Sequence, residues 1–530
     1  MSSEAPPQNA TAREWLGLAV LALPAMIVMM DMTLLFLATP HLTAAMHPSG
    51  TQLLWITDIY GFLSAGFLIT MGTLGERIGR RNLLLIGAAF FGAASALTAY
   101  ASSPEMLIVT RAVLGVAGAT LAPSTLALLR NMFHNPKQRT MAITLWMMAS
   151  MIGGSVGPVV GGLMLQHFWW GSVFLLAVPI MLLLLIAGPM LLPEFRNPNA
   201  DRVDPLSVVL SLAAILPVIY GIKQLAQDGY DTVPAACIVI GLVAGVLFVL
   251  RQRSLTTPLV DLGLFANRTF SASLTALTIA VVFLMGIQYL VAQYLQDALG
   301  YSPLDAGLWM LPAIFLGIFA AITASGLGAK LRPGVVLSIG LLVAAAGFVV
   351  LTTLDGNSGV APVVTGSVLM FVGLAPVTAL GTDLIVGAAP AERSGAASAL
   401  SETSQQLGGS LGIALLGVIG TVVYRSRLDD TLPTGLSADA VQSARQNPSN
   451  AMAIAEHLTD GRALADAAKG AFAHALSVDA LVAAPVIVVL AASVFWTLRA
   501  VLPTGAKQEQ EKEEPQVRIQ EREVELDSLA

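Results

Sequence analysis

The chain is poor in charge and in cysteine. Asp, Glu, Lys and Arg make up 11% of its 530 residues, whereas about a quarter of the residues in a soluble globular domain are charged. This composition excludes a soluble globular domain as the main architecture. The single cysteine, Cys237, excludes an intrachain disulfide. The first apolar run is too long for a signal-peptide core and lacks a small-residue cleavage site, so we expect no cleaved signal.

Motifs of catalysis are also missing. No cluster with metal-ligand spacing, no nucleotide-binding loop and no HExxH pattern occurs in the sequence. An intramembrane aspartyl protease needs two membrane aspartates, but its YD and GxGD pairs are absent around Asp31 and Asp58. We therefore expect no enzyme, no catalytic residues, no metal, no cofactor and no nucleic-acid partner.

Apolar residues, in contrast, make up 55% of the chain, and the mean hydropathy is +0.76. A segment of about 20 apolar residues crosses a bilayer as a helix, because lipid offers the backbone no hydrogen bonds. The sequence therefore predicts an all-α polytopic membrane protein with fourteen spans, at 15–39, 51–74, 82–101, 105–129, 140–165, 170–192, 205–223, 233–250, 269–296, 302–326, 334–354, 360–387, 396–424 and 478–500.

Basic residues in the short loops lie almost entirely on one side of these spans. Lys223 is the exception on the other side, and the long segment 425–477 does not count, because long loops cross largely regardless of charge. The positive-inside rule then places both termini in the cytoplasm. The residues on the predicted cytoplasmic side are Arg77, Arg80, Arg81, Arg130, Lys137, Arg139, Arg196, Arg202, Arg251, Arg253, Arg268, Lys330, Arg332 and Arg393.

The sequence contains an internal repeat. Displacing the chain by 253 residues places TLGERIGRRNLLLIG (73–87) over GLGAKLRPGVVLSIG (326–340), and GGSVGPVVGG (153–162) falls over GGSLGIALLG (408–417) two residues out of phase. Parallel repeats of this kind are one architecture of secondary transporters. The predicted organisation is a cytoplasmic segment 1–14, a six-helix bundle 15–192, an inserted helix pair 205–250, a six-helix bundle 269–500 that contains an external loop 425–477, and a disordered cytoplasmic tail 501–530.

Five segments in order resemble one transporter family. GTLGERIGRR (72–81) resembles the loop signature GxLaDrxGrk, with Glu76 in place of Asp, and RAVLGVAGA (111–119) is similar to the fourth-span pattern RxxxGxgaa. DMTLLFLATP (31–40) and WITDIY (55–60) resemble first-span and second-span segments, and ALSETSQQLGG (399–409) resembles a thirteenth-span segment that carries Glu402. A further match, to the antiporter signature GxxxGPxxGG, comprises Gly153, Gly157, Pro158, Gly161 and Gly162.

On these motifs the chain resembles the fourteen-span drug:proton antiporters of the major facilitator superfamily, which export quaternary ammonium compounds, antiseptics and dyes. The resemblance implies a monomeric multi-pass protein in the lipid of the bacterial cytoplasmic membrane, driven by the proton gradient. Its partners would be small lipophilic cations. Several members carry a second acid where this chain has Gln406, and some that handle dications place an acid in span ten, where this chain has no acid between Asp305, at the outer edge of the span, and Asp355. The alternative function is proton-coupled symport of a small nutrient or metabolite.

Charged side chains inside spans are expensive and are therefore functional candidates. Counted at ~1.5 Å per residue, Asp31, Asp58 and Arg111 each lie roughly 10 to 13 Å inside the membrane, in one layer. We predict that the two aspartates bind protons and cations and are poised by Arg111. The alternative is a structural ion pair between Asp31 and Arg111. Glu402 is predicted to form an inner cation site, the alternative being a first-turn acid favoured by the helix dipole.

Two further groups are assigned by position. The glycines of residues 72–81 are predicted to form a tight turn with the arginines in headgroup water, and the resemblance implies that Glu76 caps the helix that begins near Ser394 and holds the inside shut. The gate candidates are Gly72, Glu76, Arg77, Gly79, Arg80 and Asp383.

Adaptable or aromatic side chains suit a pocket for flat cations, although lipid-facing or core positions are the alternative for them. The cavity candidates are Met30, Trp55, Trp146, Met147, Trp309 and Gln406.

Overall fold

A computed structural model describes residues 10–133, 135–196, 204–228, 232–256, 258–390, 393–433, 436–458, 461–501 and 503. Arg202, most of the N-terminal segment and nearly all of the tail 501–530 lie outside these residues. Within them, the regular structure is helical: α1 Ala12–Met46, α2 Gly50–Ile78, α3 Arg80–Ala99, α4 Pro104–Met132, α5 Pro136–His167, α6 Ser172–Leu175, α7 Ala177–Leu191, α8 Pro205–Asp228, α9 Thr232–Ser254, α10 Arg268–Gln293, α11 Pro303–Lys330, α12 Pro333–Leu351, α13 Val360–Gly387, α14 Ser394–Asp429, α15 Ala438–Gln446, α16 Pro448–His457 and α17 Gly461–Leu498. A 3-10 turn covers Leu262–Ala266 and a π-helical turn covers Tyr294–Ala298.

The predicted fourteen spans agree with the helices in the described ranges. Thirteen helical stretches are long and apolar enough to cross a membrane, and α2, bent by 54° between Leu68 and Thr70, supplies the fourteenth. Helices α6 and α7 together form the sixth span. The all-α polytopic fold is therefore confirmed.

The last helix begins earlier than the sequence predicted. It starts at Gly461, not at 478, and α14 continues to Asp429, so much of the predicted loop 425–477 is helical. Residues 461–477 are rich in alanine, the residue with the highest helix propensity, and their buried side chains pack against α16 and the core. Packing and propensity therefore extend the helix beyond the apolar run that hydropathy detects.

The two halves of the chain pack in the same way, as the sequence repeat predicts. In the first half α1 packs on α5, α2 on α4, and α3 on both α4 and α7. In the second half α10 packs on α14, α11 on α13, and α12 on both α13 and α17. The halves meet along two equivalent seams, α2 against α14 and α5 against α11. This correspondence is the packing of two six-helix bundles related by a pseudo-two-fold axis.

Helices α8 and α9 form the inserted pair and lie against one seam. They pack on each other, and α8 also packs on α2 and α14. At their ends, Asp204 accepts hydrogen bonds from Arg251 Nε (3.0 Å) and Nη2 (3.2 Å). These bonds, with a further one from Ser207, lower the pKa of Asp204 to about 2. The carboxylate is therefore ionised at physiological pH, and its bonds to Arg251 hold the end of α9 beside the start of α8.

Close contacts between the halves are found toward one end of the bundle. We call the end that carries Arg77, Arg130 and Lys330 the basic end. Contacts between the halves lie toward the opposite end: a Cβ added to Gly162 would lie 2.5 Å from the Cα of Leu304, and one added to Gly417 would lie 2.7 Å from Leu54. At the basic end, by contrast, a Cβ on Gly72 or Gly326 would meet nothing within 4 Å among the described residues. The close glycine contacts of the seams therefore lie toward the end opposite the basic end.

Candidate functional site

Arg111 is the centre of a buried cluster in the first half. The residue is 1% exposed, and its Nη1 donates to Asp31 Oδ2 at 2.6 Å. The guanidinium carbon lies 4.8 Å from the centre of the Tyr60 ring and 5.8 Å from that of Phe174. The predicted meeting of Asp31 and Arg111 is observed, and the cluster joins α1, α2, α4 and α6.

Two glycines of the fourth-span motif make room for this cluster. A Cβ on Gly115 would collide with the backbone of Tyr60, and one on Gly118 would lie 2.8 Å from the Tyr60 hydroxyl oxygen. Arg111, Gly115 and Gly118 thus present one surface of α4 to a single tyrosine of α2. The motif therefore permits close helix packing, which places the Arg111 guanidinium against the aromatic ring of Tyr60.

Asp58 is fully buried on α2 and lies toward the second half. Its Oδ1 accepts a hydrogen bond from Thr57 Oγ1 at 3.1 Å, and Tyr289 of α10 lies close to both Asp58 and Thr57. The Tyr289 ring also packs edge-on against Phe36 of α1, with 5.6 Å between ring centres. Asp58 is linked to the Arg111 cluster along α2, because Arg111 Nε donates to the carbonyl oxygen of Ile56 at 3.4 Å. The predicted layer therefore reaches from the cluster to the boundary between the halves.

Glu402 lies well inside α14. The helix begins at Ser394, so Glu402 is beyond the first turn, and the alternative of a first-turn acid is wrong. Residues four apart share a helix face, which groups Glu402 with Gln406 and Ser410. A Cβ on Gly61 of α2 would collide with Ser410 and would lie 3.8 Å from the Gln406 carbonyl oxygen. Glu402 therefore occupies the α14 face that is turned toward the first half. It lies two helical turns nearer the basic end than the contact between Ser410 and Gly61.

The antiporter signature packs on two neighbours at once. Cβ atoms added to Gly153, Gly157 and Gly161 would collide with Met26, Thr33 and Leu34 of α1, respectively, so these glycines permit close contact of α5 with α1. On the other side, the Pro158 carbonyl oxygen would lie 2.5 Å from a Cβ on Gly307 of α11, and Gly162 also faces α11. In the second half Gly417, at the position equivalent to Gly162, faces α2. The signature therefore forms the closed part of a seam.

Several gate residues are placed differently from the prediction. Gly72 and Gly75 lie inside α2, so only Gly79 forms the turn; its φ is +106°, a conformation that favours glycine. Arg80 is buried, not in headgroup water, because its Nη2 binds Glu76 Oε1 at 2.8 Å on the preceding turn. Glu76 is thus engaged locally, and the N-terminus of α14 has no side-chain cap among the described residues. Arg77 is exposed, as is Asp383 near the end of α13.

The cavity candidates do not share one location. Met30 is buried against Gly157, and Trp55 packs with Phe62 and residues of α8 and α14 beside the inserted pair. Met147 is 52% exposed on α5, and Trp309, 40% exposed, lies beside Tyr301. Trp146 is partly buried against the core and Gln406 is buried. Met30 and Trp55 are therefore packing residues in this conformation, because close helix contacts occupy the space that a pocket would need.

Two residues near the seam were missed by sequence reasoning. Tyr289, next to Asp58, carries no charge and so stands out in no hydropathy reading. Asp479 received no role from the sequence; it stands second in the predicted span 478–500, at the span boundary, whereas the structure buries it fully within α17. The sequence signal that could have drawn attention to Asp479 is an acid next to a long apolar run. Whether such an acid is buried depends on where the helix begins, which hydropathy does not show.

Comparisons with known proteins agree with this architecture. The family model described as Major Facilitator Superfamily matches residues 21–413. The chain is 41% identical to the multidrug efflux pump LfrA of Mycolicibacterium smegmatis, over 91% of this chain and 96% of that protein. It is 33% identical to the methyl viologen resistance protein SmvA of Salmonella typhimurium, over 92% of this chain and 98% of that protein.

Among solved structures, a bacterial homolog of the human lysosomal transporter Spinster, in an inward-facing and unoccupied conformation, superposes with a TM-score of 0.64 at 16% identity, covering 93% of this chain and 98% of that one. That likeness concerns the fold alone. The sequence relatives, the repeat and the signature packing together identify the chain as a multi-pass protein of the bacterial cytoplasmic membrane that belongs to the Major Facilitator Superfamily, in its branch of drug:proton antiporters.

Proposed function

We propose that this protein exports lipophilic cations, among them quaternary ammonium compounds, antiseptics and dyes, in exchange for protons by alternating access. Relatives that align over nearly the whole chain are a multidrug efflux pump and a methyl viologen resistance protein. The observation that carries the proposal is the buried Asp31–Arg111 pair, connected along α2 to Asp58 at the boundary between the halves.

The chemistry follows from competition for negative charge. A buried carboxylate is stable when it is paired with a cation or when it is protonated. Asp31 is held by Arg111, whereas Asp58 and Glu402 lie on the surfaces where the two halves face each other. A proton and a lipophilic cation would compete for the same carboxylates, so that loading of one favours release of the other. A substrate would reach Glu402 from the basic end, since Glu402 lies two helical turns nearer that end than the contact of Gly61 with Ser410.

The binding groups and both seams come from one chain. A monomer surrounded by membrane lipid is therefore sufficient for the proposed exchange, with the proton gradient as the energy source. After Asp305, at the outer edge of span ten, no acid occurs before Asp355, and we propose that monovalent cations are the preferred substrates.

Replacing Asp31 with Asn tests the proposed coupling. The variant keeps the side-chain volume but removes the charge that binds Arg111 and takes part in exchange. We expect transport of ethidium into proteoliposomes, driven by an imposed pH gradient, to fall by at least about tenfold, equal to about 1.4 kcal/mol. Asp305→Asn is the matched control, because Asp305 is an exposed acid at the end opposite the basic end. This variant should transport normally. Undiminished proton dependence in Asp31→Asn would contradict the assignment, and uptake of a neutral nutrient without cation exchange in the wild type would favour the symporter.

Replacing Glu402 with Gln tests the inner cation site. Loss of one carboxylate charge near a bound cation should raise the Kd for ethidium about tenfold, or about 1.4 kcal/mol. The Kd of an uncharged compound of similar shape should change less than about twofold, because no ion pair is lost. Glu402→Asp, which keeps the charge, is the control, and fluorescence titration of the purified protein is the measurement. An equal change for both ligands would show that Glu402 acts on packing alone.

A further inference from the structure

The last helix carries a carboxyl group that the proposed exchange does not use. Asp479 is 0% exposed, and neither of its carboxylate oxygens has a hydrogen-bond partner within the part of the chain that the structure describes. Its neighbour across the helix contact is Gly420 of α14, where an added Cβ would lie 3.0 Å from Asp479 Oδ2. An ionised carboxylate without partners is strongly disfavoured in such surroundings, so this packing accommodates the neutral acid.

Titratable groups on the elements packed against α17 do not provide a counter-charge. Helix α12 has no titratable side chain, and the described acid and histidine of α16 are exposed. Tyr424 of α14 donates its hydroxyl to the Ala444 carbonyl oxygen, and Asp297 in the π-helical turn accepts a hydrogen bond from Ser449. Tyr289 of α10 neighbours Asp58, and Tyr294 of the π-helical turn packs its ring on Phe472. No cation is found beside Asp479 among the described residues of these elements.

Asp479 lies directly behind the wall of a cavity between the two halves. The cavity is at the end opposite the basic end and is lined by Leu54, Tyr289, Gln293, Gly417, Gly420 and Phe472. Gly420 both lines the cavity and adjoins the Asp479 carboxyl, and it has no side chain of its own to separate the two. Tyr289, which neighbours Asp58, lines the same cavity. When the halves separate at this end, water that fills the cavity would reach Asp479.

We propose that Asp479 is a further proton-binding residue, which takes up a proton from the side opposite the basic end before that end closes. This inference rests on the proposed exchange. The step is a proton transfer from water to the carboxylate, and closure then buries a neutral acid. Closure with an ionised Asp479 would bury an unpaired charge, so proton uptake and closure of this end occur together.

Spin labels test this inference without any drug. Cysteines at the exposed positions Ala45 and Asn357, in a Cys237→Ser background, report the distance between the halves at the relevant end of the full-length protein in liposomes. One coupled proton changes the closed-to-open ratio by up to about tenfold per pH unit. We therefore expect the closed-to-open ratio of the wild type to rise as the pH falls from about 8 to about 5. In Asp479→Asn, whose side chain is always neutral, the ratio should change less with pH, by up to about tenfold less per pH unit in the range where Asp479 titrates.

Control variants keep the result specific. Asp305→Asn should retain the wild-type pH dependence. Gly420→Ala leaves the acid in place but adds a methyl group against its Oδ2. Because it covers the carboxyl further, it disfavours closure with the ionised acid, so the closed-to-open ratio should fall at pH about 8 relative to pH about 5; this variant serves if Asp479→Asn does not fold. Identical pH profiles for the wild type and Asp479→Asn, or an unchanged ratio between these two pH values in Gly420→Ala, would overturn the inference. Drug transport driven by a pH gradient in the wild type, measured separately, tests the proposed function.

Discussion

Replacing Arg111 with Met is expected to destabilise the protein strongly and to abolish transport. The change removes the partner of Asp31, which lies 2.6 Å away in a cluster where Arg111 is 1% exposed. Removing one member of a buried ion pair costs about 3–5 kcal/mol, because the other charge stays buried without compensation. It also removes the planar group that rests on the Tyr60 ring. A thermal unfolding midpoint well below that of the wild type, in the same detergent, is the expected result.

A double variant separates stability from coupling. Asp31→Asn combined with Arg111→Met removes both charges, so most of the lost stability should return, since replacing a buried pair by neutral groups is often nearly neutral. Proton-driven transport should remain absent if the pair takes part in exchange. Restored transport with normal proton dependence would instead establish that the pair only holds α1 and α4 in register. Ethidium transport and unfolding midpoints, measured on the same preparations, distinguish the two outcomes.

Two adjacent glycines of the antiporter signature should respond oppositely to the same substitution. Gly153→Ala places a methyl group against the backbone of Met26 on α1, and backbone cannot rotate away. Helices α1 and α5 must then separate, at a cost of about 1–3 kcal/mol. Because α5 also forms the seam with α11, we expect proton-driven transport to fall about tenfold or more, corresponding to about 1.4 kcal/mol or more.

Gly154→Ala is the matched control. A Cβ at Gly154 would meet nothing within 4 Å among the described residues, and alanine favours the helix by up to about 1 kcal/mol relative to glycine. The variant should transport like the wild type and unfold at the same or a slightly higher temperature. Equal losses in the two variants would show that helix flexibility, and not close packing on α1, is the property that the signature supplies.

Local signals were sufficient for much of the fold. The fourteen spans follow from runs of apolar residues, since a chain in lipid must satisfy its backbone within each helix. The repeat and the signature at 153–162 similarly predicted equivalent packing in both halves, because glycine spacing determines how closely two helices approach. The contact between Asp31 and Arg111 was also within reach, because an acid and a base at the same depth in apolar surroundings have few other partners.

The ends of the helices and the surroundings of individual side chains could not be predicted from the sequence. The start of α17 at Gly461 depends on packing against α16 and the core, which hydropathy does not register. The same packing converts Asp479 from a predicted boundary residue into a buried one. Arg80 likewise satisfies the pattern of a loop arginine but is buried beside Glu76.

The sequence by itself determined the number of spans, the membrane setting, the repeat and the presence of charges within the bilayer, because each of these depends on residues close together in the chain. Only the tertiary structure decided that Asp58 lies beside Tyr289, that Trp55 packs next to the inserted pair, and that Asp479 has no hydrogen-bond partner among the described residues. Those facts depend on which helices meet and at what height. Such contacts join residues far apart in sequence, and their free energy resides in packing that no single segment contains.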